Sequence, residues 1–276
     1  MLEADEIRRR HNVAVTGRPG GPVLVLAHGF GCDQQMWRYV HDDLAERCTV
    51  VVFDHAGAGR ADPSAWSPER HSTLDGYADD VVRLCRSLAA ETGPVFFVGH
   101  SVSASIGVLA AVREPELFAG LVLLTPSARY IDDAGYRGGF SSADIEELLD
   151  ALDSNYLGWS SAVAPMIMDA ANGAELVDEL SESFCRMDPR IARVFARATF
   201  LADNRADLAG VRTPTLVVQS AHDAIAPPEV GEHVHQQIPG SRLVTIDSVG
   251  HCPHMSAPEQ TAATVLEFVV PVVARR

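Results

Sequence analysis

The sequence predicts an α/β fold: a mostly parallel central sheet, helices on both of its faces, and a helical segment inserted late in the chain. Three observations carry this expectation. Short apolar runs of strand length recur at residues 23–27, 49–53, 95–98 and 120–124, and runs that are apolar throughout suit strands buried on both faces. Helical patterns separate them. Tyr77, Val81, Leu84, Cys85 and Leu88, for example, fall on one face of a helix. From about Pro126 to about Gly210 no strand pattern occurs, and it then resumes at residues 215–219 and 242–246.

In chain order, residues 11–15 read as a short first strand, and the Gly17 to Pro22 cluster as a turn. Residues 37–45 read as a helix. The loop from Asp54 to Gly59 is glycine-rich but lacks the G-x-G-x-x-G frame, so nucleotide binding is not expected. Within 126–210, Ser141-x-x-Asp144 caps a helix carrying Ile145, Leu148, Leu149 and Leu152. Pro165 lies in an apolar segment, where it would kink a helix. Leu176, Leu180 and Phe184 are spaced by four. Asp188-Pro189 is an N-cap with proline at the first helical position. Four helices are therefore expected, forming a cap over the sheet edge. The domain reading is core for 1–125, cap for 126–210 and core again for 211–276. Residues 228–238 read as a helix, and Ser256-x-x-Glu259 as a capping box opening the last one.

Composition excludes several function classes. The 276 residues are 47% hydrophobic, ample for one large core with an inserted subdomain. Twenty-two basic residues, all arginine, face 37 acidic ones, for a formal charge of −15 that would repel nucleic acid and anionic membranes. Five cysteines (Cys32, Cys48, Cys85, Cys185, Cys252) are odd in number and show no C-x-x-C spacing, so no disulfide framework is expected. The stretch from Met1 to Glu6 is charged, and no apolar run approaches the ~20 residues of a membrane helix. A cytoplasmic protein is expected.

The chemistry centres on Val95-Phe96-Phe97-Val98-Gly99-His100-Ser101-Val102-Ser103. A buried strand runs into a tight turn and then a small-residue helix, a nucleophile elbow that lifts the Ser101 hydroxyl above the sheet edge. Ser103 stands where the G-x-S-x-G frame has its second glycine, a tolerable step up in size. A serine here could instead merely cap the helix, but its partners decide for a nucleophile. A serine hydroxyl needs a base, and the base needs an orienting acid. Asp223 lies just past the strand at 215–219 and His251 just past the strand at 242–246, each at the carboxyl end where a parallel sheet carries its site. Phe30, in His28-Gly29-Phe30-Gly31, and Val102 would supply the two backbone N–H donors of an oxyanion hole, each typically worth ~3 kcal/mol of barrier. His28 would brace the Phe30 loop. His254, three residues from His251, has no third ligand near it, so no metal is expected, and it reads as a polar residue at the edge of the last helix. His233 and His235 read as exposed. Phe30, Phe140, Trp159, Phe195 and Phe200 are the candidates for a pocket wall. No cofactor is required.

These segments resemble the α/β-hydrolases. More narrowly, the chain resembles the subgroup holding the bacterial stress regulator RsbQ and the plant karrikin and strigolactone receptors, and is closest to RsbQ. The likeness rests on His28-Gly29-Phe30-Gly31-Cys32-Asp33-Gln34, Gly99-His100-Ser101-Val102-Ser103, Tyr156-Leu157-Gly158-Trp159, Phe184-Cys185 with Asp188-Pro189, and Gly250-His251-Cys252-Pro253-His254-Met255-Ser256. It implies a Ser-His-Asp triad, a four-helix cap, a small apolar pocket and slow hydrolysis of an ester, lactone or enol ether. Two rivals to a plain hydrolase stand beside it, the first from the resemblance and the second because the same triad can perform perhydrolysis. One is an RsbQ-like signalling protein whose acid-rich cap (Glu146, Glu147, Glu179 and others) docks a regulatory phosphatase; the other is a cofactor-free haloperoxidase performing perhydrolysis.

Overall fold

The chain opens with α1 (Leu2–Arg10), a helix the sequence pattern hides, because among residues 5–10 Ile7 alone is buried and one buried apolar residue makes no period. In a computed structural model of the protein, residues 2–274 are described; Met1, where the charged N-terminal stretch begins, lies outside them. Then follow β1 (Ala14–Gly17), β2 (Val23–Ala27), α2 (Arg38–Ala45), β3 (Thr49–Val52), α3 (Pro68–His71), α4 (Leu74–Thr92), β4 (Val95–His100), α5 (Val102–Arg113) and β5 (Phe118–Leu124). The first strand thus starts later than the expected 11–15, since His11 and Asn12 form a turn.

Between β5 and β6 lie four helices of twelve or thirteen residues: α6 (Ser142–Ser154), α7 (Tyr156–Met168), α8 (Ala174–Arg186) and α9 (Pro189–Phe200), followed by the one-turn α10 (Arg205–Leu208). Their starts obey the local chemistry. Ser141 Oγ accepts the Asp144 N–H while Asp144 returns a bond to the Ser141 N–H. Asp188 accepts the Arg190 N–H ahead of Pro189. Pro165 sits inside α7 and does not end it.

The core resumes with β6 (Thr215–His222), α11 (Pro228–Gln237), β7 (Arg242–Val249), α12 (Pro253–Ser256) and α13 (Pro258–Ala274). The expected capping box at Ser256 is not made. Ser256 ends α12, and its hydroxyl bonds back to the Cys252 and Val249 carbonyls.

The seven strands run in the order β1-β3-β2-β4-β5-β6-β7, with β1 antiparallel to β3 and every other pair parallel. Strands β2, β4 and β5 are buried along their whole length, which explains their unbroken apolar sequences. This order sets the site: β4 is flanked by β2 on one side and β5 on the other. Among the described residues, no helix is long and apolar enough to cross a membrane.

Candidate active site

Ser101 follows β4 directly, with φ 57° and ψ −122°, a strained conformation for a non-glycine residue. The turn closes because Gly99 has no side chain; a Cβ there would lie 2.3 Å from the Ser103 carbonyl oxygen. Ser101 holds the N-cap position of α5 yet makes no capping bond. Its Oγ lies 2.7 Å from His251 Nε2 instead, and His251 Nδ1 lies 2.7 Å from Asp223 Oδ2. The carboxylate can only accept, so Nδ1 carries the proton and Nε2 is left to accept the serine hydroxyl. The other oxygen of Asp223 takes the Ile225 and Ala226 N–H groups at 2.8 and 3.0 Å, which fixes the carboxylate.

The histidine is held by its backbone. Its carbonyl accepts from His100 Nε2 (2.9 Å) and Thr125 Oγ1 (3.0 Å), and its N–H donates to the Ile167 carbonyl of α7 (2.8 Å). Gly250 makes this approach possible: at φ +88° its absent Cβ would lie 2.2 Å from the Met168 carbonyl. Thr125, at φ +46°, is a β-branched residue in the left-handed region, a second strained position one residue past β5.

On the β2 side, His28 braces its loop as expected. Its Nδ1 donates to the Gly29 carbonyl at 2.9 Å, and its Nε2 accepts the His55 N–H at 3.1 Å. The Phe30 N–H shares the planar Gly29 peptide, so fixing that carbonyl turns the N–H the opposite way. The Val102 N–H, first in α5, has no acceptor within its own helix. Ser103 is more than tolerated: its hydroxyl donates to the His28 carbonyl (2.5 Å) and accepts from His55 Nε2 (2.7 Å), tying the elbow to the Phe30 loop.

A cavity of about 30 Å³ adjoins Ser101, lined by apolar residues of the core and of the inserted helices. Phe30 and Phe200 line it; Phe140, Trp159 and Phe195 do not. Trp159 stacks on Tyr156 and meets Phe30 edge-on from behind, Phe195 stacks on Tyr77 at 4.4 Å, and half-buried Phe140 bridges to Ile131. Helical spacing fixes which face is apolar but not which neighbour fills it. The lining instead includes Tyr130, Ile167, Leu180, Phe184 and Ile225.

Other histidines differ from expectation. His254 is fully buried between Trp37 and His100, and burial pulls its pKa down to about 3. Burial likewise holds His55 and His100 well below the ordinary value, so all three stay neutral. His233 and His235 are half-buried. No cluster of three metal-ligating side chains occurs among the described residues. In the 54–59 loop the buried Asp54 accepts the Gln34 and Arg60 N–H groups and the Asn12 amide, so this turn is built around a carboxylate.

A serine raised above the carboxyl edge of a parallel sheet on a strained strand-to-helix turn belongs to the α/β-hydrolase class of enzymes. A model of the alpha/beta hydrolase family matches residues 24–264, and the chain belongs to that family. Within it, the chain falls with the karrikin and strigolactone receptor-like proteins. It is 37% identical to the karrikin insensitive 2 receptor CA of Petunia hybrida over 95% of this chain and 97% of the relative. It is 38% identical to a strigolactone esterase of Arabidopsis thaliana over 91% and 93%. Among solved structures, a hydrolase from Oleispira antarctica superposes with a TM-score of 0.93 at 39% identity, covering 96% of this chain and 97% of that one.

Proposed function

We propose that the protein hydrolyses a small apolar ester or lactone, one joined to an enol ether included, by acyl transfer in which Ser101 attacks the ester or lactone carbonyl. The observation that carries this reading is the unbroken chain from Asp223 through His251 to Ser101, two bonds of 2.7 Å ending at an apolar cavity. His251 takes the hydroxyl proton as Ser101 attacks the carbonyl and returns it to the leaving oxygen; Asp223 holds the required tautomer. The Phe30 and Val102 N–H groups receive the oxyanion. This scheme calls for no cofactor.

A volume of about 30 Å³ holds a water or two. We therefore infer that residues 126–210 act as a cap whose helices part to admit substrate. The four buried free cysteines fit a reducing compartment such as the cytoplasm.

A second reading, a sensor that signals through a protein partner, is supported by the Petunia relative, which is named a receptor. It is also supported by the exposed face of α7, where Leu157, Ser161, Pro165 and Met166 are all uncharged. An RsbQ-like regulatory phosphatase would be the partner sought.

A panel of p-nitrophenyl acyl esters and butenolides, run on the native protein and on Ser101→Ala, tests the proposal. The expected loss is roughly a factor of a million, as for removal of a nucleophile in subtilisin. Near-native turnover by the alanine variant rules the assignment out. Turnover above about 10 per second, the median for enzymes, with no phosphatase recovered alongside the native protein, decides for the plain hydrolase.

A further inference from the structure

We propose that Tyr130 is a further catalytic residue, donating a hydrogen bond to the oxygen that leaves when Ser101 attacks. This rests on the acyl-transfer reading above.

Three observations converge on it. The Tyr130 hydroxyl lines the cavity, and its one hydrogen bond to a side chain or backbone group among the described residues is to Ser101 Oγ, at a slack 3.4 Å. A good O–H···O contact is nearer 2.7–2.8 Å. The residue is only 3% exposed, and a buried hydroxyl so weakly engaged gains from any acceptor that arrives beside it. Second, the ring is held in place: it meets Phe200 edge-on at 5.2 Å, and the Tyr130 carbonyl accepts the Phe140 N–H at 3.1 Å. Third, the strand order separates two sides of the nucleophile. Phe30 follows β2 on one flank of β4, whereas Tyr130 follows β5 and His251 follows β7 on the other. An oxyanion bound by the Phe30 and Val102 N–H groups faces the first flank. The remaining oxygen on the tetrahedral carbon then faces the second, where Tyr130 Oη and His251 Nε2 both lie near Oγ.

The bookkeeping of the step is simple. The bond from carbon to Ser101 Oγ forms as the serine proton passes to His251 Nε2. The carbon–leaving-oxygen bond breaks, its electron pair stays on that oxygen, and His251 supplies the proton. Tyr130 keeps its own proton throughout and stabilises the charge that builds before His251 delivers. Burial raises its phenol to about 12, so the group remains a donor at neutral pH.

The test is Tyr130→Phe, assayed as kcat/KM on acetate esters whose alcohols span p-nitrophenol, phenol and ethanol. A nitrophenolate carries its charge unaided; an alkoxide does not. The expected loss is about 10- to 100-fold on ethyl acetate and under about 3-fold on p-nitrophenyl acetate, the range for one hydrogen bond to a developing charge. The plot of rate against leaving-group pKa steepens. An equal loss on all three esters, or an unchanged slope, overturns the proposal, because a merely structural role cannot depend on the alcohol. Thermal denaturation of the variant shows that it is folded. Ser101→Ala in the same series separates the two claims. If turnover survives without Ser101, the acyl-transfer reading falls; if it needs Ser101 while the slope is unchanged, Tyr130 alone is ruled out.

Discussion

The sheet side and the helix side of the site are built by different means. On the sheet side, each side chain sits one or a few residues past the carboxyl end of a parallel strand, and the pairing of β4, β5, β6 and β7 sets the distances between them. On the helix side, Ile167, Leu180, Phe184 and Phe200 reach the cavity from α7, α8 and α9, whose mutual packing decides what each residue meets. The first arrangement is rigid because β4 and β5 are buried on both faces and have no room to shift, and β6 and β7 are hydrogen-bonded to them in turn. Among the described residues the second is joined to the core by polar ties at separate points: Glu179 with Arg38 and Tyr39, Ser183 Oγ with the Gly31 carbonyl, Arg186 with Asp33, the Asn172 amide with the Val249 carbonyl, and the His251 N–H with Ile167. That difference is why we assign chemistry to one side and substrate admission to the other.

The largest effect that could break this division is on the sheet side. Asp223→Asn keeps acceptors for the Ile225 and Ala226 N–H groups but favours the wrong imidazole tautomer. Steady-state kinetics should show a fall of about 10⁴ in kcat, with urea denaturation nearly unchanged. A fall below tenfold would mean that strand geometry does not set the acid, and Asp247, the next nearest acid in sequence to His251, would be the next to test.

Next in size is a pH effect on stability. His254 is held down to about 3 in the folded chain, against an ordinary 6.5. Between those values unfolding takes up a proton, so stability falls as pH drops from about 6.5 toward 3, by about 1.4 kcal/mol per pH unit. The loss from this one residue is on the order of 5 kcal/mol at the acid end. His55 and His100 act in the same direction. Replacing His254 by Phe, which suits a ring with no hydrogen-bond partner between Trp37 and His100, should lower the slope of unfolding free energy against pH by about one proton. An unchanged slope would show that His254 is hydrated and charged in the folded state.

The smallest effect sharpens the contrast from the helix side. Glu179→Gln weakens a partly exposed tie between α8 and α2. Stability should change by only about 0–1 kcal/mol, while KM moves a few-fold and kcat stays put. A kcat effect as large as the KM effect would show that the helices help to align the reacting groups.

The same contrast explains what could be read from the chain. The meeting of Ser101, Asp223 and His251 was legible because an apolar run announces each strand and the polar residue comes at its end, in the order the fold requires. Of the four inserted helices, α6 and α9 were legible from their caps, α7 from its apolar run and α8 from residues spaced by four. Thr125 and Tyr130 were not, although both follow β5: a threonine holding a carbonyl and a tyrosine in a cavity carry no spacing signal. Trp159 and Phe195 were misplaced because helical periodicity reports that a residue is buried without saying against what. Glu179 was grouped with the acids of the cap surface; its partner Arg38 is 141 positions away, beyond any local pattern. His254 was misread for the same reason, since its neighbours Trp37 and His100 come from remote segments.

The central claim is that the rigid side performs acyl transfer through Ser101. Its most direct test is mass spectrometry of the native protein quenched during turnover of p-nitrophenyl acetate. One acetyl group on the peptide carrying Ser101, formed at the rate of the nitrophenol burst and lost at the rate of steady turnover, is the expected result. Continued turnover with no adduct on Ser101, or with the acetyl group on another residue, would contradict it.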